Sequence, residues 1–252
     1  MKRILICFSG LFLLSCHYSH TANSVSPVTV PAEYINPSED QTERRKQSEA
    51  YCKSYHIPVY TNPNALFADP EDSVSIRTKA EVIDRALALC YIGLKSEGLE
   101  KKYLDEMDKE FNVSAKLTPN ELVYTTAKRP TKQQTIDANW KYEDLHVMLW
   151  ALGFIDTLSY PNHLCNVAAD TKIIHDLTAK QFAQKAKLRS KKEILDQADL
   201  VLRLDWACVN ARTNKQPAPA NLDKDVVYER HFALNWLINY LGENWDDITT
   251  DT

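Results

Sequence analysis

Glu229, Arg230 and His231 stand in a row near the C-terminus, and Asp246, Asp247 and Asp251 follow soon after. A histidine among carboxylates is the raw material of general acid–base catalysis or of a metal site. Spacing works against that chemistry. Positions two apart on a helix point to different sides, so Glu229 and His231 diverge if they share one. A helix of about 15 residues from Glu229 rises roughly 22 Å, so Asp246 must double back to meet His231. Glu229, His231, Asp246 and Asp247 therefore form a weak catalytic set. The plainer reading is acidic residues at a helix start, a solvated histidine and a polar tail docked by Trp245.

A second cluster is Asp196, Asp199, Arg203 and Asp205. Asp199 and Arg203 are four apart and face each other on a helix. Leu200, Val201, Leu202 and Leu204 surround them, and charges placed among such residues must be paired. Asp199, Arg203, Glu229 and Arg230 are read as an interhelix polar network that fixes packing. Trp140, Trp150, Trp206, Trp236 and Trp245 could line a groove, but aromatic residues at helical spacing more often build a core. His17 and His20 lie in a polar tether and make a poor metal site.

Several chemistries are excluded by absence. Beyond the N-terminal segment the glycines are Gly93, Gly98, Gly153 and Gly242. No two lie within three residues, which removes the phosphate loop, the dinucleotide turn and the nucleophile elbow together. HExxH, SxxK and calcium-loop patterns are missing as well. No cofactor and no metal ligand set is expected.

The elements that would position these residues begin with a leader. Met1, Lys2 and Arg3 precede an apolar run from Ile4 to Leu14. These eleven residues rise about 16 Å as a helix, about half of a bilayer core. The run fits a signal-peptide core. It ends Leu13-Leu14-Ser15-Cys16, which resembles the lipobox of bacterial lipoproteins. The resemblance implies cleavage after Ser15 and lipid attachment at Cys16, with stable anchoring once two or more acyl chains are present. His17 follows the cysteine where an inner-membrane sorting aspartate would stand. That implies an outer-membrane address facing the periplasm in a Gram-negative cell.

Loss of residues 1–15 takes Lys2 and Arg3 and moves the net charge from −4 to −6. An acidic body does not capture nucleic acid, and it does not hold anionic lipid by charge. Cys52, Cys90, Cys165 and Cys208 remain, with no CxxC spacing, and an exported compartment leaves three disulfide pairings open.

Residues 16–40 are rich in Ser, Thr, Pro and Asn and read as a lipidated flexible tether. A charged helix is expected near Gln41 to Tyr55. Prolines around Ile57–Pro63 allow at most a short strand pair near residues 57–68. From Thr78 onward the chain reads as helix. Capping-box patterns begin at Thr78, Thr118, Thr131, Thr178 and Ser190, most leading into apolar residues at helical period. One stripe comprises Ala233, Leu234, Leu237, Ile238 and Leu241. Gly98, Gly153 and Gly242 sit where helices should stop. The expectation is an all-α fold, a single multi-helix globular domain over residues 41–252.

Three segments carry a further resemblance. The first runs from Ile76-Arg77-Thr78 to Leu89, and the second from Trp140 to Gly153, including Tyr142-Glu143 and Trp150. The third combines Leu188-Arg189-Ser190, Arg203-Leu204-Asp205-Trp206, Val227-Tyr228-Glu229-Arg230-His231 and Trp245-Asp246-Asp247. Together, over about residues 45–252, they resemble the bacterial family known as domain of unknown function 4272. The resemblance implies no activity, substrate or catalytic residue. Its members are mostly cytoplasmic, so a lipoprotein leader is a departure.

The expected function is that of a membrane-anchored envelope lipoprotein acting as a binding or interaction module. Its partners would be the membrane, through Cys16, and a protein. Two alternatives stand beside it: a hydrolase-type enzyme with a Glu/His/Asp polar cleft, and an immunity-type protein that blocks a delivered toxin.

Overall fold

The computed structural model describes residues 36–62 and 65–252. The leader, Cys16, His17, His20 and nearly all of the tether lie outside the described residues. Within them the chain forms nine α-helices and no strand: α1 Glu39–Ser54, α2 Lys79–Ser96, α3 Lys101–Phe111, α4 Pro119–Thr126, α5 Lys132–Ala151, α6 Val167–His175, α7 Ala179–Lys185, α8 Lys191–Thr213 and α9 Lys224–Leu237. The described part of residues 57–68 is irregular. No helix among the described residues is long and apolar enough to cross a membrane.

Local chemistry sets most of the helix starts. All five expected capping boxes form, at Thr78, Thr118, Thr131, Thr178 and Ser190. In each, the hydroxyl accepts a free backbone N–H and the side chain three residues on accepts the N–H of the cap residue. A cap of this kind is worth about 1 kcal/mol. A sixth, Ser38 with Gln41, starts α1 two residues before the expected helix.

Packing runs in the order α2, α5, α9, α8, α1, each helix lying against the next. The middle of the row explains the order. Leu145, Val147, Met148, Leu149, Ala151 and Leu152 at the end of α5 are all fully buried. A helix apolar around its whole circumference can only be covered on every side. Gly93 lets α2 approach α5 closely, with the Tyr142 ring lying where a side chain at Gly93 would go.

The last helix departs from expectation. α9 begins at Lys224 and ends at Leu237, so Glu229, Arg230 and His231 lie in its middle rather than at its start. Asn239 is left-handed (φ 55°), and Leu241, placed on the apolar stripe by periodicity, is 69% exposed. The cause is remote. The Arg77 amide donates to the Leu237 carbonyl at 2.9 Å. Its guanidinium donates to the carbonyls of Trp236 and Glu243. The free carbonyls of the helix end are thus taken by another element. The tail then folds back, with Trp245 edge-on to Phe232 and Trp236 at 5.0 and 5.4 Å.

Asp40 pins α1 to the loop after it. Its carboxylate accepts from the Arg44 guanidinium and the Glu71 amide, both at 2.9 Å, and from the Ser38 hydroxyl. Burial works against the charge, yet the Ser38, Glu71 and Arg44 donors hold the Asp40 carboxyl down to about 2. A carboxyl depressed in the folded state stabilises above its unfolded pKa of about 3.9, and that stability disappears as pH falls toward 2. The side chain is 33% exposed, so solvent screening reduces the effect. Asp40→Asn should cost about 1 kcal/mol at neutral pH and almost nothing near pH 2, read by urea unfolding at both. Equal losses at both pH values would show that the carboxylate charge plays no part.

Candidate functional site

Charged residues recur inside the row of helices. On α5, Glu143 and Asp144 are within 2% of full burial, and His146 is 9% exposed. Lys141 reaches Asp144 at 2.8 Å and Glu229 of α9 at 2.9 Å, its ammonium 4.7 Å from the Phe232 ring centre. Burial alone would lower the Lys141 pKa, but the Asp144 and Glu229 carboxylates raise it. Burial raises the Asp144 carboxyl well above its ordinary value, against the pull of Lys141.

One turn of α9 serves three neighbours. Glu229 meets Lys141 of α5. Arg230 points its Nε at Glu143 Oε2, 3.7 Å away, and donates through Nη1 to the Ser159 carbonyl. His231 places Nδ1 2.8 Å from Asp205 of α8. Successive side chains are about 100° apart around a helix axis, so three in a row fan out rather than converge. Asp246 lies elsewhere, accepting from the Thr118 hydroxyl at 2.7 Å and the Asn120 amide at 3.0 Å, and so holds the start of α4. Asp247 is exposed. The catalytic candidates Glu229, His231, Asp246 and Asp247 are therefore spread over separate places. Asp199 and Arg203 pair within α8 at 2.7 Å, both buried, while Glu229 and Arg230 take their partners from α5.

A cavity of about 220 Å³ is lined by Tyr51 of α1, Trp150 of α5, Ser159, Gln197 and Leu200 of α8, and Arg230. A second space of about 340 Å³ adjoins it, shares Tyr51, Trp150, Gln197 and Leu200, and extends to Arg44 and Asp196. The two make one groove. Arg44 is neutralised by Asp40 and Asp196 at 2.9 and 3.3 Å. Arg230 is served less well. It is 2% exposed, and its Nε and Nη2 have no hydrogen-bond partner. Burial lowers its pKa below the usual guanidinium range, with Glu143 opposing. Arg230 brings a positive charge to the cavity wall, and Tyr51 and Trp150 offer ring surface for an apolar body.

Sequence reasoning singled out Arg230 but neither Glu143 nor the groove. The usable signal was the Lys141–His146 stretch, which sets Lys141, Glu143, Asp144 and His146 beside the apolar, buried end of α5. Cys52, Cys90, Cys165 and Cys208 are all free thiols.

A family model described as a domain of unknown function (DUF4272) matches residues 44–248. No curated protein and no solved structure matches the chain.

Proposed function

The chain belongs to the DUF4272 family, and from that premise we propose that it is a membrane-tethered binding module of the bacterial envelope whose groove takes up a small anion. The tether rests on the lipobox-like Leu13-Leu14-Ser15-Cys16 and the polar segment behind it. One observation carries the binding role: Arg230, a buried cation, lines a cavity of about 220 Å³. At roughly 30 Å³ per water, that volume equals about seven waters, a fit for a small carboxylate or phosphate compound and not for a polymer. Its neighbours Asp156, Thr157, Leu158 and Pro161 sit on the loop ahead of α6, which gives the site a rim of non-helical chain. A protein partner acting on the surface around this groove is the wider form of the same reading.

Thermal unfolding with acetate, benzoate and inorganic phosphate tests it. An anion at ten times its Kd stabilises by about 1.4 kcal/mol, which raises Tm by about 3–6 °C in a domain of this size. Leu200→Trp, which fills the cavity from the half-exposed side of α8, should abolish the shift. Absence of any shift with all three anions, or an unchanged shift in Leu200→Trp, would refute binding at this place. Mass spectrometry of the purified mature protein tests the tether: a lipidated Cys16 is expected, and an unmodified thiol there overturns it.

A further inference from the structure

We propose that His146, Cys165 and Asp170 bind a divalent transition-metal ion, with zinc the best match. The inference is independent of the groove. One ligand atom from each side chain lies within 4.8 Å of the other two. His146 comes from α5, Asp170 from the first turn of α6, and Cys165 from the loop just ahead of it. Thiolate, imidazole and carboxylate together are a zinc donor set, with the mixture of soft and hard ligands that calcium and magnesium do not use.

The surroundings point the same way. His146 Nδ1 and Asp170 Oδ2 are 2.8 Å apart. The Cys165 Sγ lies 3.5 Å from the Tyr142 carbonyl. Glu143 Oε1 accepts the Cys165 amide, which fixes the loop that presents the sulfur. Its other oxygen, Oε2, is buried and makes no hydrogen bond. Arg230 Nε lies 3.7 Å from that oxygen. Zinc–ligand distances of about 2.0–2.3 Å place tetrahedral donors about 3.3–3.6 Å apart, so the hydrogen-bonded His146–Asp170 pair, at 2.8 Å, must open and any separation near the 4.8 Å limit must close by roughly an ångström. Binding replaces the thiol proton, which leaves to solvent, and a water fills the fourth position.

A Cys–His–Asp nucleophile would use the same residue types but a different order. It needs the imidazole between thiol and carboxylate. Here Asp170 faces both His146 and Cys165. Burial and the Glu143 and Asp170 carboxylates raise the Cys165 thiol, the reverse of an activated nucleophile.

The test is titration of the purified, chelator-stripped chain with cobalt(II), followed by competition with zinc. One equivalent of cobalt should give a thiolate-to-metal charge-transfer band, and zinc should remove it. Cys165→Ser should lose the band and weaken metal binding by at least roughly tenfold, while Cys52→Ser keeps both. Circular dichroism checks that each variant is folded. No band in the wild-type chain overturns the proposal on its own, whatever the variants do. A band that survives in Cys165→Ser overturns it too, because the metal then sits on another thiol.

Discussion

Glu143→Gln is expected to destabilise the domain by about 3–5 kcal/mol. The change keeps the shape of the side chain and keeps an oxygen to accept the Cys165 amide. It removes the charge and turns the oxygen facing Arg230 into an amide N–H donor. Arg230, 2% exposed, then holds a buried cation with the Ser159 carbonyl as its remaining partner. Its Nε and Nη2 already lack hydrogen bonds. Breaking one half of a buried ion pair costs more than removing both, because the surviving charge has no compensation. The double variant Glu143→Gln with Arg230→Met should therefore recover much of the loss, a coupling that a double-mutant cycle measures. Urea unfolding gives the numbers, with an unchanged m-value confirming that the same surface is exposed. A second consequence links the pair to the groove. With Glu143 neutral, the uncompensated Arg230 should bind phosphate more tightly, so phosphate should restore more stability to the variant than to the wild type. A Glu143→Gln loss below about 1 kcal/mol would mean the pair is well solvated and the cavity electrostatics are wrong.

The helix starts were legible because they are local events. A hydroxyl and a Glu or Gln three residues on identify a capping box without any tertiary information, and all five formed. Ser38 and Gln41 carry the same spacing, but Ser38 lies in a segment whose composition reads as tether, so the start of α1 was set two residues late. α3 begins at Lys101 after Glu100, which makes no side-chain cap, and local pattern offered no flag for it. The end of α9 was not legible, because the groups that take its last carbonyls belong to Arg77, 159 residues away from Trp236. Periodicity ran on to Leu241, although the backbone had already turned at Asn239.

The site was legible in halves. Arg230 and Glu229 drew attention as charges in an apolar helix, and the requirement that they be paired was sound. Their partners on α5 were hidden, because Lys141 lies 88 positions from Glu229 and Glu143 lies 87 from Arg230. The groove draws on α1, the end of α5, the loop after it, α8 and α9. A cavity is the space left by five segments, and no spacing rule along one chain describes it. The metal cluster failed for a related reason. His146, Cys165 and Asp170 match no short motif, and their meeting depends on α6 folding back onto α5.

Gly93→Ala should destabilise by about 2–3 kcal/mol, although helix propensity alone favours alanine by about 1 kcal/mol. Gly93 lies near the C-terminal end of α2, a helix that packs along α5. A Cβ there would sit 2.5, 2.6 and 2.9 Å from three carbons of the Tyr142 ring. Real contacts of that kind are near 3.5–4.0 Å, so the ring or the helix must move by about an ångström. The ring is 2% exposed and has little free space to enter. Steric overlap therefore outweighs the gain in backbone entropy, and the sign of the effect follows from packing. Gly98→Ala is the control. It meets nothing within 4 Å but holds φ at +79°, so it should lose about 1 kcal/mol through backbone strain alone. Tyr142→Leu should rescue part of the Gly93→Ala loss, since the smaller side chain makes room for the methyl. Because Tyr142 precedes Glu143 and its carbonyl lies against Cys165 Sγ, the displacement reaches both the Arg230 pair and the metal cluster. Gly93→Ala should thus weaken cobalt binding where Gly98→Ala does not. A Gly93→Ala variant as stable as the wild type would show that α2 and α5 do not approach as closely as the Tyr142 contact requires.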